Sequence, residues 1–131
     1  MRILIAEDDF TSRTLLQNFL SPFGDVDVTV NGAEAVEAFT LALDEGEPYD
    51  LICLDIMMPE MDGLEALEII RKKEKSMGIT PFDEVKIVMT TALDSAKSVL
   101  DAYYRGGCND YLTKPIDTKK LRQLIEKLGL A

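Results

Sequence analysis

The chain is short of positive charge. Its 131 residues carry 14 Lys and Arg against 24 Asp and Glu, a formal net charge of −10. A surface of that sign repels nucleic acid and anionic membrane, so direct nucleic-acid binding by this chain is not expected. Cysteine is scarce too: Cys53 lies inside an apolar run and Cys108 in a Gly-rich turn, a pattern that excludes a disulfide framework or a zinc-ligand spacing and predicts two reduced thiols. No apolar stretch reaches the 18 or so residues of a membrane span, and no signal-peptide pattern opens the chain. A soluble, cytoplasmic protein with no membrane partner is expected. Repeats and low-complexity tracts are absent, and the length suits one folded unit covering residues 1–131.

What is present is an alternation of short apolar runs with amphipathic segments, the pattern of βα units around a parallel sheet. Five such units are legible. Ile3 to Ala6 reads as the first strand, followed by a helix from about Phe10 to Leu20 that stops at Pro22 and Gly24. Val26, Val28 and Val30 alternate with polar residues, as in an edge strand. After Asn31-Gly32 comes a helix bearing Ala35, Val36, Ala38, Phe39 and Leu43, with Gly46 and Pro48 at its exit. Leu51 to Leu54 is continuously apolar, as a central strand covered on both faces should be.

A loop bracketed by Pro59 and Gly63 leads to the helix of Leu64, Leu67, Ile69 and Ile70, which is expected to fade into the charged stretch Arg71 to Lys75. Ser76 to Glu84 has the composition of a surface loop or short turn. Val85 to Thr90 reads as the fourth strand, and Ser95 to Arg105 as a helix ended by Gly106-Gly107. A short strand spans about Asp110 to Thr113. Thr118 is the expected N-cap of a final helix carrying Leu121, Leu124, Ile125 and Leu128.

Acidic residues close two of these strands. Glu7 and Asp8 follow Ile3 to Ala6, and Asp55 follows Leu54. If the two strands are neighbours, their charges repel by about 4 kcal/mol per pair at about 4 Å and an effective dielectric near 20. A cation is needed to hold them together. Each acid also has a plainer reading: Asp55 as a capping or loop residue, Glu7 and Asp8 as solvated acids favoured by a helix macrodipole. Neither accounts for the Lys114-Pro115 pair at another strand end.

Placed in order, Ile3-Leu4-Ile5-Ala6-Glu7-Asp8, Asp55-Ile56-Met57-Met58-Pro59 with Asp62-Gly63, Met89-Thr90-Thr91-Ala92 and Asp110-Tyr111-Leu112-Thr113-Lys114-Pro115 resemble the receiver domain of two-component response regulators, chemotaxis regulators among them. The resemblance spans essentially the whole chain. It implies a doubly wound α/β fold of flavodoxin-like type, a five-stranded parallel sheet in the order 2-1-3-4-5, with ligands at the carboxyl ends of strands 1 and 3.

It also implies roles. Asp55 is the expected phosphoacceptor, a carboxylate nucleophile. Glu7, Asp8, Asp55 and the main-chain carbonyl of Met57 are the expected ligands of Mg²⁺, Glu7 through water. Asp9 is left as helix-start charge, a choice supported by matching Arg13 and Leu16 to the family pattern. Lys114 is expected on a phosphoryl oxygen, before a cis proline. Thr91 is expected to donate its hydroxyl to a second one, although Thr90 and Thr91 point to opposite faces and register decides between them. Tyr111 is the expected aromatic partner of Thr91 in a switch that alters the face of helix 4, strand 5 and helix 5. Tyr103 and Tyr104 belong either to that face or to the core.

The implied partners are a histidine kinase or phosphotransfer protein upstream and a protein target downstream. The implied function is a switch and not an enzyme in the ordinary sense. Two departures stand out: the span from Asp55 to Thr91 is long, with the excess in Ser76 to Glu84, and Gly106 to Asn109 is one residue longer than the common turn, which unsettles the register of strand 5 and of Tyr111. Two other functions are compatible with a fold of this kind. A flavodoxin-like or nucleotide-binding protein needs a Gly- or Ser/Thr-rich loop where this chain has Glu7-Asp8-Asp9. A receiver-like interaction module without phosphorylation is the alternative of the same fold. The final helix runs close to Ala131, which leaves open a stand-alone regulator or a piece of a longer one.

Overall fold

The computed structural model describes residues 1–92 and 96–131. Five parallel strands, β1 (Arg2–Ala6), β2 (Asp25–Thr29), β3 (Leu51–Asp55), β4 (Lys86–Thr91) and β5 (Asp110–Thr113), form one sheet in the order 2-1-3-4-5. Between and after them run α1 (Phe10–Leu20), α2 (Gly32–Asp44), α3 (Gly63–Ser76), α4 (Ala96–Asp101) and α5 (Thr118–Lys127). The expected helix start at Ser95 lies outside the described residues. The expected architecture and strand order are those observed.

Alternation along the strands divides the core into two layers. Leu4, Ala6, Ile52, Leu54, Ile87 and Met89 pack with Ala35, Phe39, Leu67 and Ile70 under α2 and α3. Ile3, Ile5, Leu51, Cys53 and Val88 face the other way, onto Leu16 and Leu20 of α1 and Leu121, Leu124 and Ile125 of α5. β3 is buried throughout and β2 is only half-buried, as its apolar run and its alternation respectively require. Val30 lies just beyond β2 and is exposed. Cys53 and Cys108 are unbonded and buried in different layers.

The helices start where side chains can take up their free N–H groups. Asp9 accepts from Ser12 N, Asn31 from Glu34 N and Asp62 from Glu65 N. α5 corrects the sequence reading. Its N-cap is Asp117, which accepts from Lys119 N and Lys120 N, so Thr118 is already in the first turn.

The charged run Arg71 to Lys75 continues α3 rather than ending it. Arg71 donates to Glu74 Oε1 at 2.7 Å, to the Val85 carbonyl at 2.9 Å, to the Gly107 carbonyl at 3.0 Å and to Asn109 Oδ1 at 3.0 Å. The second oxygen of the buried Glu74 accepts Val85 N at 2.8 Å. One ion pair thus ties α3 to the starts of β4 and β5, and a run that composition assigns to solvent is partly interior. The long connection that follows contains a 3-10 turn at Pro81–Asp83.

Before β5 the chain makes a wide π-type turn over Ala102–Gly106, closed by Gly107 at φ 74°. Cys108 N bonds back to the Ala102 carbonyl at 3.1 Å. β5 consequently enters in register, Tyr111 opposite Met89 and Thr113 opposite Thr91.

Candidate functional site

β1 and β3 are neighbours, with Ala6 opposite Leu54, so the acids that follow them meet at one sheet edge. Glu7 prolongs β1 by donating its N–H to the Thr29 carbonyl at 3.0 Å. Its side chain is 0% exposed and that of Asp55 is also buried, while Asp8 is exposed. Oxygens from Glu7, Asp8 and Asp55 lie within 4.8 Å of one another. Asp9 is turned away to cap α1, and Arg13 steadies the loop by donating to the carbonyls of Glu7 at 3.0 Å and Asp8 at 3.3 Å. At the end of β3, Gly63 N donates to the Ile56 carbonyl at 2.8 Å. A Cβ on Gly63 would fall 2.0 Å from the Asp55 carbonyl oxygen, so the loop can close here only over glycine.

Lys114 enters from β5 after the sheet has ended, preceding a cis peptide to Pro115. Its ammonium donates to Glu7 Oε1 at 2.7 Å and to Asp55 Oδ2 at 3.1 Å. Burial pushes the Glu7 carboxyl up to about 7 and raises Asp55 above the ordinary aspartate range, against the pull of the Lys114 ammonium on both. Burial opposes the charge on Lys114, but the two carboxylates outweigh it and hold the amine above its usual value. The cluster holds more negative charge than one ammonium balances.

The donor set suits a hard divalent cation. Glu7 Oε2 is buried with no hydrogen-bond partner among the described residues. An orphaned carboxylate oxygen of that kind is costly, and a cation in contact with it would remove the cost. Met57 stands two residues beyond Asp55 with its side chain 68% exposed, so any part it plays falls to its main chain.

β4 brings two hydroxyls to the same edge. Asp55 is paired with Thr90 and Thr113 with Thr91. Cys53 and Val88 face α1 and α5, and two residues further along each strand Asp55 and Thr90 share that face. Thr91 lies on the opposite face; its hydroxyl donates to the Ala92 carbonyl at 3.3 Å. The sequence leaves the choice between Thr90 and Thr91 to register, with the motif favouring Thr91, and the register puts Thr90 on the Asp55 face. The signal available was the alternation from Val88, which becomes decisive once the register with β3 is known.

Tyr111 is partly exposed on the α4 side of β5, and its ring meets that of Tyr103 edge to face at 5.9 Å. The Tyr103 hydroxyl donates to Asp110 Oδ1 at 3.0 Å, and Lys127 of α5 lies 3.4 Å from Asp110 Oδ2. Tyr103 therefore joins the α4, β5, α5 face and also packs against the core layer under α2 and α3. The Tyr104 side chain lies outside the described residues.

With this geometry established, the pattern described as "Response regulator receiver domain" matches residues 3–126. The chain belongs to the response regulator receiver domain family.

This receiver domain is 36% identical over 129 residues to the chemotaxis protein CheY of Listeria monocytogenes, covering 97% of each chain. Among solved structures it is similar to the receiver domain of a downstream response regulator of Saccharomyces cerevisiae, crystallised with its histidine phosphotransfer signaling protein: 34% identity, TM-score 0.82, covering 98% of this chain and 88% of that one. It is also similar to the receiver domain of a Pseudomonas aeruginosa sensor histidine kinase that has a magnesium ion coordinated in its active site cleft: 28% identity, TM-score 0.76, covering 98% and 97%. The receiver domain is thus a two-component signalling module, and no helix among its described residues is long and apolar enough to cross a membrane.

Proposed function

We propose that this receiver accepts a phosphoryl group on Asp55 from a histidine kinase or phosphotransfer protein, in a Mg²⁺-dependent reaction, and that the modification alters the α4, β5, α5 face to control a downstream protein. The observation that carries the reading is the shared ammonium of Lys114, bonded at once to Glu7 and Asp55 at the edge where the acids converge. A buried aspartate sharing an ammonium with a second acid that carries an orphaned oxygen is poorly explained as structural support.

Asp55, Asp8, Glu7 through water and the Met57 carbonyl would hold Mg²⁺, which when bound neutralises the charge of a phosphoryl group arriving among carboxylates. Asp55 supplies the attacking oxygen: its bond to phosphorus forms as the bond from phosphorus to the donor's imidazole nitrogen breaks. Lys114 turns from Asp55 Oδ2 to a phosphoryl oxygen. Thr91 turns its hydroxyl from the Ala92 carbonyl to another phosphoryl oxygen, and Tyr111 follows into the space released. These residues move charge and donors by short distances, and the product is a conformation rather than a released compound. The reading places the protein in the cytoplasm, beside its kinase, and treats residues 1–131 as a single receiver unit.

Incubation with acetyl phosphate and Mg²⁺ tests this directly. Intact-mass spectrometry should show one added phosphoryl group on the wild type and none on Asp55→Asn. Equal labelling of both would overturn the assignment.

A further inference from the structure

Two buried side-chain polar atoms of the described residues have no hydrogen-bond partner, Glu7 Oε2 and Thr90 Oγ1. The first belongs to the acidic cluster. The second has no place in the mechanism above, yet it lies in the same part of the molecule. Thr90 is 1% exposed and is the direct cross-strand neighbour of Asp55. Neighbouring strands are about 4.8 Å apart and paired residues of a parallel sheet point the same way, so both side chains rise from one face. Lys114 comes from β5, on the far side of β4. To reach Asp55 its stem must pass over β4, the strand that carries Thr90.

An unpaired buried hydroxyl costs free energy, and evolution has simple isosteres to remove it. It is tolerable when another state of the protein uses it. Among the described residues, the ammonium of Lys114 donates to Asp55 Oδ2. When Lys114 turns to the phosphoryl group, that buried oxygen loses its donor.

We infer that Thr90 is a positioning residue for Asp55, its hydroxyl replacing Lys114 as the donor to the Asp55 carboxyl group when Lys114 is drawn to the transferred phosphoryl group. The inference rests on the function proposed above and adds a hydroxyl on the face opposite to Thr91. Thr91 addresses the incoming group, whereas Thr90 holds the carboxyl that receives it. Thr90 is not a metal ligand in this arrangement and touches no donor molecule.

Thr90→Val keeps the shape and removes the hydroxyl, and Thr90→Ser keeps the hydroxyl. With acetyl phosphate and Mg²⁺, followed by intact mass, Thr90→Val should be phosphorylated about tenfold more slowly than wild type, the loss of one hydrogen bond to a charged acceptor. Thr90→Ser should recover to within about threefold. Mg²⁺ affinity from NMR titration should change by less than about twofold in both. In metal-free buffer, Thr90→Val should melt at the wild-type temperature or a few degrees above it, because an orphaned hydroxyl has been removed.

A Thr90→Val protein phosphorylated at the wild-type rate would overturn the inference. So would a Thr90→Ser protein as slow as Thr90→Val, or a lowered melting temperature of Thr90→Val, which would reveal a resting-state partner. A wild type that takes no label would instead defeat the proposed function, and that result is separable from the others.

Discussion

The Lys114 ammonium sits between Glu7 and Asp55, 2.7 Å from one carboxylate oxygen and 3.1 Å from the other. It spans two strands of the sheet to do so, and its place is the one a divalent cation and a phosphoryl group would contest. Lys114→Ala should therefore destabilise the metal-free protein by about 2 kcal/mol, less than the roughly 3–5 kcal/mol of a fully buried pair because the lysine keeps some contact with water. Urea denaturation in EDTA reads this directly. Repeating it with Mg²⁺ should shrink the deficit, since the cation takes over the neutralising charge.

Glu7 gives a pH dependence with a definite sign. Its carboxyl is raised from 4.5 to about 7 by burial, so between those values the folded state binds more protons than the unfolded one. Stability of the metal-free protein should fall as pH rises through that window. Cation binding needs the ionised carboxylate, so Mg²⁺ affinity should rise over the same range. The gain in melting temperature on adding Mg²⁺ is expected to be larger at pH 8 than at pH 6, and equal gains would refute the coupling.

Arg71 offers a test remote from the acidic edge. Arg71→Ala leaves Glu74 charged and buried and strips donors from the Val85 and Gly107 carbonyls. A loss of about 3–5 kcal/mol is expected in urea denaturation. The double change Arg71→Met with Glu74→Leu should recover a large part, because apolar replacement leaves no unpaired charge.

The cap of α5 separates two adjacent residues. Asp117 accepts two backbone N–H groups, so Asp117→Ala should cost about 1 kcal/mol, while Thr118→Ala should be near neutral. The same denaturation experiment distinguishes them.

The sequence exposes the strands and the acidic edge because apolar runs and terminal acids are local signals, whereas the sheet order is legible only through the family resemblance. Glu7, Asp8 and Asp55 are legible for that reason, Lys114 through its place before Pro115 in the family motif, and Asp9 as helix-start charge by matching Arg13 and Leu16 to that pattern. Less legible were features that depend on what lies across the fold. The run Arg71 to Lys75 looks like solvated charge until β4 and β5 bring carbonyls and Asn109 to Arg71. Thr90 looks like strand filling until β3 is aligned beside it. Thr118 reads as the cap on composition, and only the backbone geometry shows that Asp117 takes that place.

The wide turn at Ala102–Gly106 has a mechanical consequence. It closes through bonds from Gly107 N and Cys108 N to the Ala102 carbonyl, and Arg71 of α3 bonds the Gly107 carbonyl from the side. The entry to β5 is thus braced by a neighbouring helix, so any change that frees Arg71 would slacken the path into that strand as well as α3 itself.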